Sequence, residues 1–252
     1  MRSAHESPHR NPGAEVKIYD SEGAPNAARI RIVLAAKGLE PCVEFVPVDL
    51  LSAGQKQDGY LAKNPIGKIP LLELDDGLVI SESTAITEYL DNLDGRPLLT
   101  GTTPREKALI HMMQRRVEQL LLEPIDDYFH YGTPGLGRAL APWRMPDWPG
   151  RGEWGKRRGE AALRGLRYWD GVLRERAFLA GDTFSMADIT LYAALLFLPF
   201  TGLQIAPELS ALTAWQAKVD ALPAVRSRSG QSPSARDIER FTAEWEAAAR
   251  AG

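Results

Sequence analysis

Short apolar runs divided by turn-forming residues fill the first part of the chain. Residues 16–19 form a β-type run that ends at a cluster of turn formers over 20–26. Apolar positions then recur at helical spacing until Lys37 and Gly38, and a lysine followed by a glycine is typical of a helix end. A second strand is predicted over 42–48, so this part of the sequence indicates a β-α-β unit.

A hairpin and another helix are predicted next. Residues 69–74 and 78–80 are two apolar runs, and Asp76-Gly77 between them is a strong signal for a two-residue hairpin turn. The sequence Ser81-Glu82-Ser83 then opens a helix whose apolar positions continue to Leu90. The first 95 residues therefore read as β-α-β followed by β-β-α.

The pattern from Pro104 onward is helical only. Residues 104–131 predict a long helix with a kink at Pro124, and the Gly- and Pro-rich segment 132–150 predicts a loop. Residues 153–176 and 215–222 predict two more helices, and 185–200 is apolar nearly all round, which is typical of the central helix of a bundle. The apolar stripes expected to face the core are Leu109, Met112, Met113, Val117 and Leu120 on the first helix and Ala162, Leu166, Trp169 and Leu173 on the second.

The two ends of the chain differ from its middle. Residues 1–14 are polar and predict a flexible tail. Residues 226–234 are rich in Ser, Arg and Gly and predict a flexible stretch, and 234–249 can form a last amphipathic helix. The sequence therefore predicts four parts, which are a tail over 1–14, an α/β domain over 15–95, an all-helical domain over 104–225 and a C-terminal tail over 226–252.

The charge balance and the apolar runs exclude several classes of protein. The 30 Lys and Arg against 33 Asp and Glu give a net charge of −3, which argues against a nucleic-acid binder. The longest apolar stretch, 189–200, is far short of the roughly 20 residues that span a bilayer. The tail lacks the apolar core of a signal peptide. We expect a cytoplasmic protein without a membrane or nucleic-acid partner.

Cysteine and histidine usage bounds the chemistry. Cys42 is the single cysteine, which excludes a disulfide framework, a Cys-x-x-Cys redox pair and a cysteine-rich zinc site. Four histidines, two of them in the N-terminal tail, leave little for a histidine metal site. No metal is expected, and Cys42 is expected to be buried on the second strand.

Two local features can carry binding chemistry. The residue before Pro70 is held extended, and a cis Ile69–Pro70 bond would let that edge pair with a bound peptide backbone; the alternative is a plain loop that enters an edge strand. Glu82 and Ser83 stand at a helix start, where free N–H groups hold carboxylates and Glu82 can accept from an ammonium. The alternative for Ser83 is simple capping.

A third feature is interpreted as structural. Ser185 and Asp188 have the spacing of a capping box, and Phe184 and Ile189 are placed for a hydrophobic staple. Asp188 at the head of a buried helix is expected to organise the core.

In combination, these features resemble the cytosolic glutathione transferases. The resemblance rests on the β-α-β and β-β-α half with its Ile69-Pro70 loop and Glu82-Ser83 helix start, followed by a helical half with the sequence Phe184-Ser185-Met186-Ala187-Asp188. It covers about residues 15–225 and implies an α/β thioredoxin-like domain (β-α-β-α-β-β-α) followed by an all-α helical bundle. Residues 128–137 look like those of an atypical bacterial and fungal subgroup.

The resemblance implies a glutathione site in the first domain. The residue before the cis-proline would pair with the cysteinyl backbone of glutathione, basic residues would meet its carboxylates, and the Glu-Ser pair would grip its γ-glutamyl end. The positions implied are Lys56, Lys68, Ile69, Pro70, Glu82 and Ser83.

The chain departs from the family at the thiol activator. The Ser or Cys position of many classes falls on Ala24, which cannot donate a hydrogen bond, and Pro25 has no N–H. Asn26 can donate through its amide or cap the first helix, and Ser21 has a hydroxyl in the same loop. Tyr19 is either an activator, as in the tyrosine classes, or a strand aromatic of the core.

A further candidate activator lies in the helical half. The atypical subgroup deprotonates the thiol through a water held by a histidine and a hydroxyl residue. The resemblance implies that His130 is this histidine, with Thr133 or Tyr131 as the hydroxyl residue; the alternative for His130 is a hinge residue near the kink. An apolar pocket for a second substrate is expected from Tyr128, Phe129, Trp143, Met145 and Trp148, and the alternative for the two tryptophans is loop anchoring.

The resemblance implies a glutathione transferase that acts on small apolar electrophiles, with glutathione as co-substrate and a homodimeric assembly. Two alternatives stay open. One is a binding or regulatory protein without catalysis, and the other is a glutathione-dependent peroxidase, isomerase or dehalogenase.

Overall fold

Four strands form one mixed sheet in a computed structural model that describes residues 16–133, 135 and 149–230. Strand β1 pairs in parallel with β2 and antiparallel with β3, and β3 pairs antiparallel with β4, which gives the order β2-β1-β3-β4. The strands are β1 (Val16–Asp20), β2 (Val43–Pro47), β3 (Leu71–Glu73) and β4 (Val79–Ser81). The predicted tail over 1–14, the helix over 234–249, and Trp143, Met145 and Trp148 lie outside the described residues.

Helices surround the sheet and then continue without it, as predicted for the thioredoxin-like and all-helical parts. The helices are α1 (Pro25–Lys37), α2 (Asp58–Leu61), α3 (Ser83–Asn92), α4 (Pro104–Val117), α5 (Glu123–Asp127), α6 (Arg151–Leu173), α7 (Met186–Phe197), α8 (Ser210–Asp220) and α9 (Pro223–Ser227). Helix α1 ends at Gly38, as its Lys-Gly signal predicts, and its buried face packs against α3 and α7.

Two details of the first half differ from prediction. The β3–β4 turn holds three residues, 75–77, because Leu74 N–H bonds the Leu78 carbonyl and Gly77 takes a φ of +85°. Cys42 is exposed at the end of the 3-10 turn Glu40–Cys42, and β2 begins only at Val43. Pro41, which has no N–H for a sheet ladder, belongs to this turn.

The predicted kink at Pro124 is a widened helical turn. A π-helical segment, Glu118–Leu122, separates α4 from α5, and a second one, Tyr128–Gly132, follows α5. Pro124 has no N–H to give to the carbonyl four residues earlier, that of Leu120, and its ring would clash with that carbonyl in a regular α-helix. The wider turn relieves this clash. The second π-helical segment contains His130, so the two widened turns together determine where this histidine lies.

The core face of α4 differs from the predicted stripe. Met113 and Val117 are buried, but Leu109, Met112 and Leu120 are 38%, 39% and 41% exposed. These three residues form a row along the outer surface of the long helix, which we call the outer apolar row.

Helix α6 matches its prediction, and glycine lets it approach the π-helical turn closely. Ala162, Leu166, Trp169 and Leu173 are all buried. A Cβ added to Gly165 would lie 2.1 Å from the Leu120 carbonyl oxygen, so only glycine fits at this contact.

Helix α7 is the central helix, as predicted. It is buried nearly all round and packs against both α1 and α4. The capping box is confirmed: Ser185 and Asp188 exchange hydrogen bonds, and Asp188 also accepts from Leu179 N–H at 2.9 Å. Asp188 therefore fixes both the helix start and the preceding loop.

The beginning of the predicted C-terminal tail is packed. Arg226 and Ser227 belong to α9, and Arg228 is buried beneath the Tyr192 ring. Ser229 accepts from Arg31 at 2.9 Å and donates its N–H to Glu40 at 3.0 Å. The sequence suggested flexibility here because Ser, Arg and Gly are polar, but these side chains find buried and charged partners on α1 and α7.

Candidate functional site

The turn between β1 and α1 holds the first candidate residues. Ala24 is the residue before α1, and no side chain caps this helix start. Asn26 is the second residue of the helix, and its Oδ1 accepts from Arg29 Nη1 at 3.1 Å. The capping alternative for Asn26 is therefore wrong, and its amide N–H groups are the donors it has left. Ser21 lies half-buried in the same turn.

The hydroxyl of Tyr19 is hydrogen-bonded to a carboxylate on β3. Its hydroxyl donates to Glu73 Oε2 at 2.6 Å, and burial and this carboxylate raise its pKa. Lys63 in turn holds Glu73 at 2.8 Å. The strand-aromatic alternative for Tyr19 therefore fits the geometry.

The loop before β3 carries the second group of candidates. The Ile69–Pro70 bond is cis, and it precedes β3 directly. Lys56 Nζ donates to the Ile66 carbonyl at 3.0 Å, and burial and the charge of Lys68 lower the pKa of Lys56. The two lysines therefore lie near each other beside Ile69 and form a region of positive charge.

The start of α3 carries the third group. Ser83 is buried at the first helical residue, and no side chain caps this helix. Glu82 has a φ of +69° and a ψ of 120°, a conformation that costs a residue with a Cβ free energy. Strained residues of this kind cluster at functional sites, which supports the binding interpretation of the Glu82-Ser83 pair.

A buried polar cluster that the sequence did not predict lies beneath these elements. Arg29 on α1 is 3% exposed and donates to Glu118 at 3.2 Å and to Thr84 at 3.3 Å. Gln114 donates to Thr84 at 2.8 Å and to Glu118. Burial lowers the pKa of Arg29, whereas the charges of Glu118 and Glu82 act in the opposite direction. The signal in the sequence was the presence of two arginines, Arg29 and Arg31, among the apolar residues of α1.

His130 lies in the second π-helical turn. Its Nε2 is 3.5 Å from Asp126 Oδ1, and its ring packs edge-on against Phe129. Burial alone would raise the pKa of Asp126, but the hydrogen bond with His130 and the charges of His130 and Lys68 bring it below its ordinary value. His130 and Asp126 therefore form a histidine–carboxylate pair on the second half of the chain.

The other helical candidates have mostly structural contacts. The Thr133 hydroxyl donates to the Phe129 carbonyl at 2.6 Å and accepts from Gly135 N–H, which leaves it one lone pair. Phe129 is 3% exposed and packs on Phe197 in the core. Tyr128 is half-buried.

Over 16–133, 135 and 149–230, no helix is both long and apolar enough to cross a membrane. Within the same ranges, no three His, Cys, Asp or Glu residues group where a metal ion could bind.

Comparison with known proteins gives one consistent result. Residues 14–92 match the family model described as the glutathione S-transferase N-terminal domain, and residues 156–223 match that of the C-terminal domain. The chain is 47% identical to glutathione S-transferase 2 of Saccharomyces cerevisiae over 86% of its own length and 92% of the yeast protein.

Solved structures agree with this similarity. The crystal structure of Gtt2 from Saccharomyces cerevisiae is matched with a TM-score of 0.79 at 48% identity, over 83% of this chain and 98% of that one. A glutathione S-transferase domain-containing protein of Marinobacter aquaeolei is matched with a TM-score of 0.77 at 45% identity, over 82% and 98% of the two chains.

Proposed function

The chain belongs to the glutathione S-transferase family, and from this premise we propose that its site activates the thiol of glutathione for attack on small apolar electrophiles. It is a glutathione transferase. The observation that carries the finer proposal is that Leu71, directly after the cis Ile69–Pro70 bond, pairs with Ser81, directly before Glu82. This register supports one glutathione site along the Ile69 loop and the start of α3, on which activation of the thiol depends.

Glutathione would lie along the Ile69–Pro70 loop. The backbone of Ile69 would pair with its cysteinyl residue as an added strand. Lys56 and Lys68 supply positive charge for its glycyl carboxylate, since both flank this loop. At the other end, the start of α3 attracts the γ-glutamyl carboxylate and Glu82 accepts from the ammonium.

Thiol activation requires a proton acceptor and a group that stabilises the thiolate. A free thiol has a pKa of about 8.5, so little thiolate exists at neutral pH. We assign the acceptor role to His130, acting through a water, because Asp126 at 3.5 Å can orient the ring and stabilise the cation that forms. Thr133, with its one remaining lone pair, can help to hold that water.

Asn26 is the candidate for direct stabilisation of the thiolate. Arg29 occupies its Oδ1, so the amide N–H groups are what Asn26 can offer a sulfur. Ser21 is the second hydroxyl candidate in this turn. The two roles are separable, because loss of a proton acceptor slows turnover, whereas loss of a donor raises the pKa of the bound thiol.

The test replaces His130 and compares it with a matched histidine. His111 also pairs with a carboxylate, Glu88 at 2.5 Å, and is similarly exposed, but it belongs to the α3–α4 contact. We expect His130→Gln to lower turnover with an aryl halide by about a hundredfold, the scale of a lost general base. Its dissociation constant for glutathione should stay near the wild-type value, and His111→Gln should keep both.

Other outcomes would redirect the assignment. A His130→Gln enzyme with wild-type turnover removes the acceptor role and leaves Asn26 as the activator. Asn26→Ala should shift the pH at which bound glutathione ionises, read from its ultraviolet thiolate absorbance, to higher values. Parallel assays with a peroxide and a haloalkane test the alternative reaction classes.

We propose a homodimer as the assembly. The outer apolar row of Leu109, Met112 and Leu120 follows one side of the long helix, and a second copy would remove it from water. The small apolar electrophile and the cytoplasmic location stay predictions from the sequence.

A further inference from the structure

The carbonyl oxygen of Lys68 receives two hydrogen bonds from side chains outside the proposed contact surface. Tyr60 donates its hydroxyl at 2.7 Å, and Asn64 donates Nδ2 at 2.8 Å. Both residues are nearly fully buried, with exposures of 8% and 3%. Two buried donors occupy both lone pairs of this carbonyl and so fix its direction.

The two donors form one unit with the loop that they hold. Asn64 N–H bonds the Tyr60 carbonyl at 2.9 Å, which keeps both side chains on the same side. Asn64 also accepts from the backbone of the loop, through Oδ1 from Ile66 N–H at 3.3 Å and through its carbonyl from Gly67 N–H at 2.9 Å. The chain from Ile66 to Lys68 is therefore held around the buried Asn64 by hydrogen bonds to its side-chain amide and its backbone carbonyl.

Planarity of the peptide bond carries this constraint to Ile69. The Lys68–Ile69 bond is trans, so the Lys68 carbonyl and the Ile69 N–H lie in one plane and point in opposite directions. Because the carbonyl is fixed towards α2, the N–H of Ile69 must point away from α2. No described residue accepts a hydrogen bond from it.

We propose that Tyr60 and Asn64 are positioning residues, which aim the Ile69 N–H at the cysteinyl carbonyl of glutathione. The inference rests on the proposed pairing of Ile69 with glutathione. It assigns a binding role to two residues that do not touch the ligand.

The surroundings keep Tyr60 in the state that this role requires. Burial raises the pKa of its hydroxyl to about 12, so it remains a donor throughout the range in which glutathione ionises. The Tyr19 ring packs edge-on against it, with centroids 6.2 Å apart, and this contact limits its rotation.

The test removes one hydroxyl and uses its neighbour as the control. Tyr60→Phe keeps the ring and loses the bond to Lys68, whereas Tyr19→Phe loses a half-buried hydroxyl of the neighbouring ring, which bonds Glu73. Titration with S-methylglutathione measures binding without thiol ionisation. We expect Tyr60→Phe to raise its dissociation constant and the KM for glutathione about fivefold, the effect of one hydrogen bond. Saturated turnover should stay close to wild type, and Tyr19→Phe should bind as wild type does.

Amide exchange separates failure of this inference from failure of the pairing itself. In the wild-type protein, the Ile69 N–H should exchange more slowly once S-methylglutathione is bound. No slowing would overturn the pairing and the positioning role with it. Slowing in wild type, together with wild-type affinity in Tyr60→Phe, would overturn the positioning role alone. Equal weakening in Tyr19→Phe would also overturn it, because the effect would then come from packing.

Discussion

Arg29 Nη1 on α1 lies 3.2 Å from Glu118 Oε1, just after α4, and this buried ion pair joins the two halves of the molecule beneath the proposed site. The same guanidinium group holds Asn26 and Thr84. One arginine therefore connects α1, the start of α3 and the first π-helical turn, so that its charge joins three segments at once.

We predict that Arg29→Met lowers the free energy of unfolding by about 3 kcal/mol, because Glu118 would remain mostly buried without its partner. Arg29→Met/Glu118→Met removes both charges and should recover much of that stability. Turnover should be lower than in the wild type in both variants, because Asn26 has lost the Arg29 guanidinium group that orients it. Urea unfolding measures the stability of each variant, and aryl-halide conjugation measures its turnover. If the double variant loses as much stability as the two single substitutions added together, the coupling between Arg29 and Glu118 is contradicted.

Patterns in the sequence predicted the elements whose regularly spaced apolar residues are all buried. The stripe of α6, the central helix α7 and its Ser185–Asp188 box follow from periodicity and capping chemistry. The stripe of α4 failed, because Leu109 and Met112 look the same in sequence whether they face a core or an outer surface. In the same way, a proline in a helical sequence does not show whether the helix kinks or widens into a π-helical turn.

The residues of the site also fall into two groups, those that the local sequence indicates and those that only the fold brings together. The Ile69-Pro70 and Glu82-Ser83 features are local, and their residue types alone indicated a peptide edge and a helix start. The Arg29 cluster joins residues from three separate segments, and only the fold brings them together. The Tyr60 and Asn64 contacts with Lys68 could not be predicted, because a tyrosine in a short helix and an asparagine in the following loop carry no sequence signal of their own.

The strained conformation of Glu82 leads to a prediction in which stability and binding change in opposite directions. Glycine tolerates its φ of +69°, whereas alanine keeps the Cβ that causes the strain. The free energy of unfolding of the Glu82→Gly protein should therefore be about 1 kcal/mol higher than that of the Glu82→Ala protein. Both variants lose the carboxylate, so both should bind glutathione at least tenfold more weakly, the scale of a charge-assisted hydrogen bond.

Thermal unfolding and titration calorimetry test the Glu82 variants. Equal stability of the two would contradict the strain, and wild-type affinity in Glu82→Ala would contradict the contact with the ammonium of glutathione. The comparison is internal, because the two variants differ only in one methyl group.

The outer apolar row makes the assembly testable. Met112 is 39% exposed in the middle of this row, so Met112→Lys should place a charge at the centre of the proposed contact between copies. We expect a shift from dimer to monomer in sedimentation velocity, with little change in the stability of the isolated chain. Leu78→Lys is the control, because Leu78 is 54% exposed and lies directly before β4, outside the long helix that carries the row. A Met112→Lys protein that stays dimeric would show that the row is not the interface.

Gly165 and Gly171 on α6 provide a matched pair for the packing against the π-helical turn. A Cβ on Gly165 would lie 2.1 Å from the Leu120 carbonyl oxygen, whereas a Cβ on Gly171 meets nothing within 4 Å. Gly165→Ala should therefore cost about 3 kcal/mol of unfolding free energy, since backbone must move to admit the methyl group. Gly171→Ala should gain about 0.5–1 kcal/mol from the higher helix propensity of alanine.

The comparison isolates the contact, because both variants remove a glycine from one helix and so change the unfolded chain equally. Gly155 and Gly159 of the same helix pack against Gly132 and Tyr128, so a displaced α6 also moves the turn that carries His130. Gly165→Ala should therefore lower turnover as well as stability, while Gly171→Ala should leave turnover unchanged. Urea unfolding and conjugation assays on the two variants provide the measurement. Equal stabilities would mean that α6 does not approach Leu120 closely, and wild-type turnover in a destabilised Gly165→Ala protein would separate this packing from the placement of His130.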